Sequence, residues 1–230
     1  MVRAVDGAII AVFNGFVGRH VWFDELVASL EMLNLLKAIP FCAFLWWVWF
    51  RERPAARRFV VRALLGVVVA IALGRGLQLL LPMRLRPMHD PRFHFTIPAD
   101  IEPDDTLVGW SSFPSDHAIV ICAFATAVLL WSRPLGVLAW LWALVIVIWP
   151  RVYLGLHYPT DMLAGMMIGA GVMVAALRLP MPPRLLDLPA RVEERHPSGF
   201  YAFAFLATYL LGTNFDDLRA LGSAFWDALH

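Results

Sequence analysis

The chain is 230 residues long, 60% hydrophobic and 16% charged, where soluble domains run at about 45–50% apolar and about 25% charged. Those proportions exclude an ordinary soluble domain, and a net charge of +1 excludes a general attraction to nucleic acid. At about 20 apolar residues per span, the length admits roughly six transmembrane helices with their loops and no separate soluble domain.

In chain order, residues 1–32 place Ile9, Ile10, Phe13, Phe16 and Val17 at helical spacing with charges between them, which predicts an interfacial amphipathic helix. The start carries Asp6 and lacks the basic, apolar, small-residue order of a cleaved signal peptide, so the whole chain is read as mature. Apolar runs bounded by charge, Pro or Gly then predict spans at 33–50, 59–82, 117–132, 134–149, 161–178 and 199–213. The expected organisation is an interfacial segment (1–32), a membrane core (33–178), and a cytoplasmic linker with an additional C-terminal span (179–230). The fold class is all-α, a polytopic membrane bundle, because lipid tolerates only helices or closed barrels and the period-2 alternation of barrel strands is absent. Cys42 and Cys122 fall inside apolar runs and suggest neither a disulfide framework nor a metal site.

Arginines set the orientation, since loops rich in Lys and Arg stay cytoplasmic. Arg51, Arg53, Arg57 and Arg58 mark the first loop as inside, as do Arg133 for the third and Arg178, Arg184, Arg191 and Arg195 for the segment before the last span. The loop at 83–116 is dominated by Asp90, Asp100, Glu102, Asp104 and Asp105 and is assigned outside with residues 150–161 and both termini. That acidic run is read as solvated rather than cation-binding. His89 and His94, in the same loop, are read as solvated too.

Three polar clusters therefore share the outer face: Arg84-Leu85-Arg86-Pro87, Phe113-Pro114-Ser115-Asp116-His117, and Arg151 with His157 and Asp161. In the second, Ser111 or Ser112 is expected to cap the third span with Pro114 in its first turn, leaving the N–H groups near Ser115 and Asp116 facing outward as an anion site. In the third, Pro159 predicts another helix start. The four-residue spacing from His157 lets the Asp161 carboxylate accept an imidazole N–H and leave the other nitrogen its lone pair. Pro87 forces Arg86 out of helical conformation, and Arg151 follows Pro150, so both arginines are expected across the mouth of the site.

Together these motifs resemble the three-part signature of the type 2 phosphatidic acid phosphatase superfamily. The spacing Arg, five residues, His, three residues, Asp matches in full, and the likeness covers roughly residues 59–178. Phe-Pro-Ser-Asp-His and Tyr-Leu-Gly-Leu-His-Tyr-Pro are most similar to bacterial phosphatases of polyprenyl diphosphates such as undecaprenyl diphosphate. The resemblance implies a hydrolase of the bacterial inner membrane with its site on the periplasmic or extracellular side, needing no metal or cofactor, with a lipid phosphate as its partner. It implies that His157 attacks phosphorus to form a phosphohistidine, that Asp161 orients it, and that His117 protonates the leaving oxygen and then activates water. Arg86, Arg151 and Ser115, with the amides around Asp116, would hold the phosphoryl oxygens. A phosphotransferase, or a lipid-phosphate binder or transporter without turnover, is the alternative.

The sequence departs from the family pattern at Leu79, where the family has lysine, at Asp116 in place of Gly, and at Pro150 in place of Ser. Three basic residues of the outer half are available in place of that lysine. Lys37 is expected to snorkel to the interface, Arg75 to pair within the bundle, and Arg84 to share a phosphate with Arg86.

Overall fold

Two helices open the chain where one was expected: α1 (Val2–Asn14) and α2 (Val21–Met32). The break has a local cause. Gly18 adopts φ +81°, open to glycine without strain, and its N–H donates to Asp24 Oδ2 at 2.8 Å, which holds the reversal. The structure is a computed structural model and describes residues 2–51, 53–97 and 109–213. The predicted acidic residues Asp100, Glu102, Asp104 and Asp105 lie outside them.

A 3₁₀ turn (Asn34–Leu36) leads into α3 (Ile39–Trp49) and then α4 (Pro54–Leu80). After a long loop come α5 (Asp116–Trp131) and α6 (Arg133–Trp142), which runs on through a π-helical stretch (Ala143–Ile148) into α7 (Trp149–Tyr153). Next are α8 (Pro159–Arg178), the short α9 (Pro183–Leu186) and α10 (Leu188–Arg195), and α11 (Pro197–Gly212). Described residues are all helix, turn or loop. Among the described residues, three helical runs are long and apolar enough to cross a membrane: α4, the continuous run Arg133–Tyr153, and α8. The remaining expected spans are shorter, with 16 residues in α5 and α11 and 11 in α3. Large apolar side chains on the bundle's outside, among them Val69, Leu73, Leu138, Val145, Met167 and Phe203, are exposed. In water such a surface would be costly; in lipid it is the expected one. The chain is an integral membrane protein.

Helix α5 runs through the centre, buried continuously from Ala118 to Val128. Glycines let α8 reach it. A Cβ on Gly169 would stand 2.1 Å from the Ile119 carbonyl oxygen, and one on Gly165 would stand 2.7 Å from that of Ser115. Backbone against backbone, α5 and α8 bring the residues at their N-termini to one end of the bundle. Gly169→Ala is expected to force the helices apart and cost roughly 1–3 kcal/mol, the usual range for overpacking, read as a lower Tm in detergent. Gly171→Ala, with nothing within 4 Å of its built Cβ, is the control and should melt like the parent.

The opposite end gathers the arginine-rich segments. Arg58 grips Asp187 with two hydrogen bonds of 2.6 and 2.8 Å, Arg57 pairs with Glu193, and Arg62 donates to the Ala176, Leu177 and Leu179 carbonyls at the α8 C-terminus. These contacts dock the 179–196 segment and complement the helix end.

Candidate active site

Helix α7 stops at Tyr153, and a turn through Gly155 (φ +70°) sends the chain back under itself. Glycine is required there twice over, because a Cβ would also lie 2.6 Å from the Phe95 ring. The turn is fastened by Leu156 N–H to the Arg151 carbonyl (2.9 Å) and by Met88 N–H to the Gly155 carbonyl (3.0 Å). It delivers His157 to the bundle's end, 2% exposed. Its Nδ1 lies 2.9 Å from the Ser112 carbonyl oxygen and its Nε2 lies 3.1 Å from Arg86 Nη1. A carbonyl only accepts, so Nδ1 carries the proton and Nε2 keeps a lone pair directed at a guanidinium N–H. Burial pushes the imidazole below its usual pKa; the Asp161 carboxylate pulls the other way, and the Arg86 charge adds to the depression. These effects favour the neutral imidazole over the imidazolium.

Arg86 is extended (φ −72°, ψ 153°), as Pro87 dictates. Its Nη1 also donates to the Leu156 carbonyl at 2.9 Å, which holds the guanidinium beside the imidazole Nε2.

The orienting contact differs from the expected one. Asp161 Oδ2 lies 3.7 Å from His157 Nδ1, beyond hydrogen-bond range, and accepts instead from the Tyr158 N–H at 2.9 Å, as an acid in the first turn of α8. Its Oδ1 takes Arg84 Nη1 at 2.6 Å. Arg84, expected beside Arg86 on a phosphate, is turned to carboxylates: Nη2 donates to Asp6 Oδ2 at 2.6 Å, and the guanidinium lies 4.0 Å over the Tyr158 ring. Asp6, from α1, also accepts from the Thr160 hydroxyl (2.6 Å) and N–H (3.1 Å).

The second cluster starts α5 later than expected. Ser115, not Ser111 or Ser112, is the N-cap, with its hydroxyl accepting from Ala118 N–H at 3.4 Å, and Pro114 precedes the cap. The Ser115 N–H, expected to face outward, donates to the Asp161 carbonyl at 3.3 Å and ties the two helix starts together. Asp116 turns its carboxylate to its neighbour: Oδ1 is 2.9 Å from His117 Nδ1 and 2.8 Å from the His117 N–H. His117 is therefore oriented by the very residue that departs from the family pattern, with Nδ1 engaged and Nε2 on the far side of the ring.

Arg151 is 1% exposed and lies within the bundle rather than across a mouth. Its Nη2 donates to Glu31 Oε1 at 2.8 Å, and Lys37 Nζ is 3.4 Å from the same oxygen. Lys37, expected at the interface, is 7% exposed and shares a cavity with His117, whereas Leu79 is 81% exposed and faces away. Arg75 stacks over Trp110 at 3.7 Å and pairs with Gln78. Asp6, Glu31, the Ser112 carbonyl and Thr160 are the participants the sequence did not announce.

A sequence profile described as the PAP2 superfamily matches residues 59–185. Among curated proteins, Escherichia coli YbjG, provisionally named an undecaprenyl-diphosphatase, is 32% identical over 169 residues, which is 74% of this chain and 79% of that protein. The undecaprenyl-diphosphatase of Sulfolobus acidocaldarius is 30% identical over 129 residues, 54% of this chain and 56% of that one. Among solved structures, a transmembrane PAP2-type phosphatidylglycerolphosphate phosphatase from Bacillus subtilis superposes with a TM-score of 0.54 at 22% identity, covering 76% of this chain and 84% of the other. That likeness is one of fold.

Proposed function

The chain belongs to the PAP2 superfamily, and from that membership we propose that it hydrolyses a lipid phosphate, with polyprenyl diphosphates of the undecaprenyl type as the leading substrate. The observation that carries this reading is the state of His157: a neutral imidazole with its proton fixed on Nδ1 by the Ser112 carbonyl and its Nε2 lone pair held against Arg86. The substrate's phosphoryl oxygens take over the Arg86 N–H groups and leave Nε2 facing phosphorus. A bond forms from Nε2 to phosphorus as the bond from phosphorus to the leaving oxygen breaks, and His117, entering the step as the imidazolium with Nδ1–H on the Asp116 carboxylate, gives its Nε2 proton to that oxygen. Water then attacks phosphorus and gives a proton to His117 Nε2 as the bond from phosphorus to His157 Nε2 breaks, and phosphate leaves. Arg86 and Arg151 hold the equatorial oxygens as charge develops, the work that Mg²⁺ does in many phosphoryl transfers.

The site is assigned to the outer face of a bacterial inner membrane. This rests on the arginine alternation, and it is supported by the gathering of arginine-rich segments at the bundle end opposite the site.

One assay tests the reading. The full chain in sealed right-side-out vesicles is offered lipid mono- and diphosphates with and without EDTA. Phosphate release from outside, insensitive to EDTA, is expected. Loss of activity on chelation that a divalent ion restores would overturn the metal-free mechanism, and release only after permeabilisation would overturn the sidedness. Appearance of the phosphate on an added lipid alcohol instead of in water would make the protein a phosphotransferase.

A further inference from the structure

Glu31 stands next to the last residue of α2, where a negative charge meets the negative end of the helix dipole and gains nothing from its own helix. What holds it is across the site. One of its oxygens, Oε1, lies 2.8 Å from Arg151 Nη2 and 3.4 Å from Lys37 Nζ. Both cations are buried, at 1% and 7% exposure. Burial would raise the carboxyl pKa, yet Arg151, then Lys37 and His117, bring it down to about 2, so the group is a carboxylate at any working pH. Two buried cations converging on one oxygen make an anion seat, and here a side chain of the protein occupies it.

The seat adjoins the chemistry. Lys37 and His117 line the same cavity with Asn34 and Val147, and its volume is about 20 Å³. That is scarcely more than a water molecule needs and far less than a phosphoryl group fills. Glu31 Oε1 already occupies the position facing both Arg151 Nη2 and Lys37 Nζ, so an anion takes both cations by displacing it, and the Glu31 side chain, 23% exposed, borders solvent into which it can swing.

We propose that Glu31 is a resident counter-anion, and that a substrate phosphate displaces it from a seat formed by Arg151 and Lys37 beside His117. Lys37 then touches phosphate, a role the sequence pattern does not assign to it. A phosphate dianion with three oxygens replaces a single carboxylate at two cations, while in the empty enzyme Glu31 keeps the buried charges compensated. The proposal deepens the phosphatase reading and rests on it for the identity of the anion.

Inorganic phosphate is the probe, and its binding to the purified full chain in detergent is measured calorimetrically, apart from any turnover. Glu31→Gln removes the competitor and is expected to tighten phosphate about tenfold and to lower KM for a lipid diphosphate; Lys37→Met is expected to weaken phosphate about tenfold, the scale of one charge-assisted contact. A merely structural pair would lose binding in both variants, so the opposite signs are the signature. Should Glu31→Gln fail to fold, Glu31→Asp, which draws the carboxylate back by one methylene, is expected to tighten phosphate in the same direction. Unchanged or weaker phosphate binding in the folded Glu31 variant overturns the proposal, and if lipid hydrolysis persists there the phosphatase reading stands without it. Tighter phosphate in a protein that hydrolyses no lipid phosphate upholds the seat and overturns the function.

Discussion

His157→Ala is expected to abolish phosphate release, lowering kcat by roughly 10⁴-fold or more, the scale found when a covalent nucleophile is removed. Alanine supplies neither the Nε2 lone pair nor any atom to carry the phosphoryl group. The fold should survive, since the imidazole makes two hydrogen bonds, to the Ser112 carbonyl and from Arg86, and Arg86 keeps its bond to the Leu156 carbonyl when the second is lost. His157→Gln sharpens the test, because an amide reaches the same carbonyl without a comparable nucleophile, and it should be equally inactive. Retained turnover in either variant would remove the phosphohistidine from the mechanism. The parent enzyme's pH dependence carries the same residue. Protonation consumes the lone pair, so activity falls on the acid side; burial and Arg86 depress the imidazole pKa from its ordinary 6.5 against the pull of Asp161. The sign is therefore fixed. Activity should persist as pH drops through 6.5 and be lost only below it, measured as kcat/KM across pH. An acid limb centred above 6.5 would contradict the buried, Arg86-facing imidazole.

The long runs behind α4 and α8 were legible because twenty apolar residues admit few interpretations, and the clustering of three motifs at one end followed from the arginine alternation. Local geometry was harder. The i, i+4 spacing of His157 and Asp161 suggested a direct hydrogen bond, but that rule describes neighbours on one helix, and His157 lies in the turn before α8. Asp161 inside the first turn reaches back to the Tyr158 N–H, and the acceptor for Nδ1 is a main-chain carbonyl, which no side-chain pattern reveals. Asp6 and Glu31 escaped for another reason. Thr160 and Arg151, their partners, stand 154 and 120 residues along the chain, and nothing local tells an acid on an amphipathic helix which distant donor it will meet. Asp116 was the converse case, a departure from the family pattern that the structure explains by its bond to His117.

Arg84→Ala is expected to act on folding before it acts on phosphate. The two carboxylates it bridges are all but sealed, Asp161 at 0% and Asp6 at 1% exposure, and each lies 2.6 Å from a guanidinium nitrogen. Deleting the cation leaves two like charges buried side by side. Removing one partner of such a buried pair costs about 3–5 kcal/mol, because the remaining charge is left uncompensated. Chemistry should suffer too, since a displaced Asp161 shifts the start of α8 and the Ser115 N–H that leans on its carbonyl. Asp6→Asn separates this account from the phosphate contact that the sequence suggested. With Arg84 present, the substitution removes a favourable pair and lowers Tm; with Arg84 replaced by alanine, it relieves a repulsion and raises Tm. A guanidinium that served only substrate would give additive changes, an unchanged Tm and a raised KM in Arg84→Ala alone. Reversal of the sign of Asp6→Asn between the two backgrounds is the result expected of an arginine whose work is to hold Asp161.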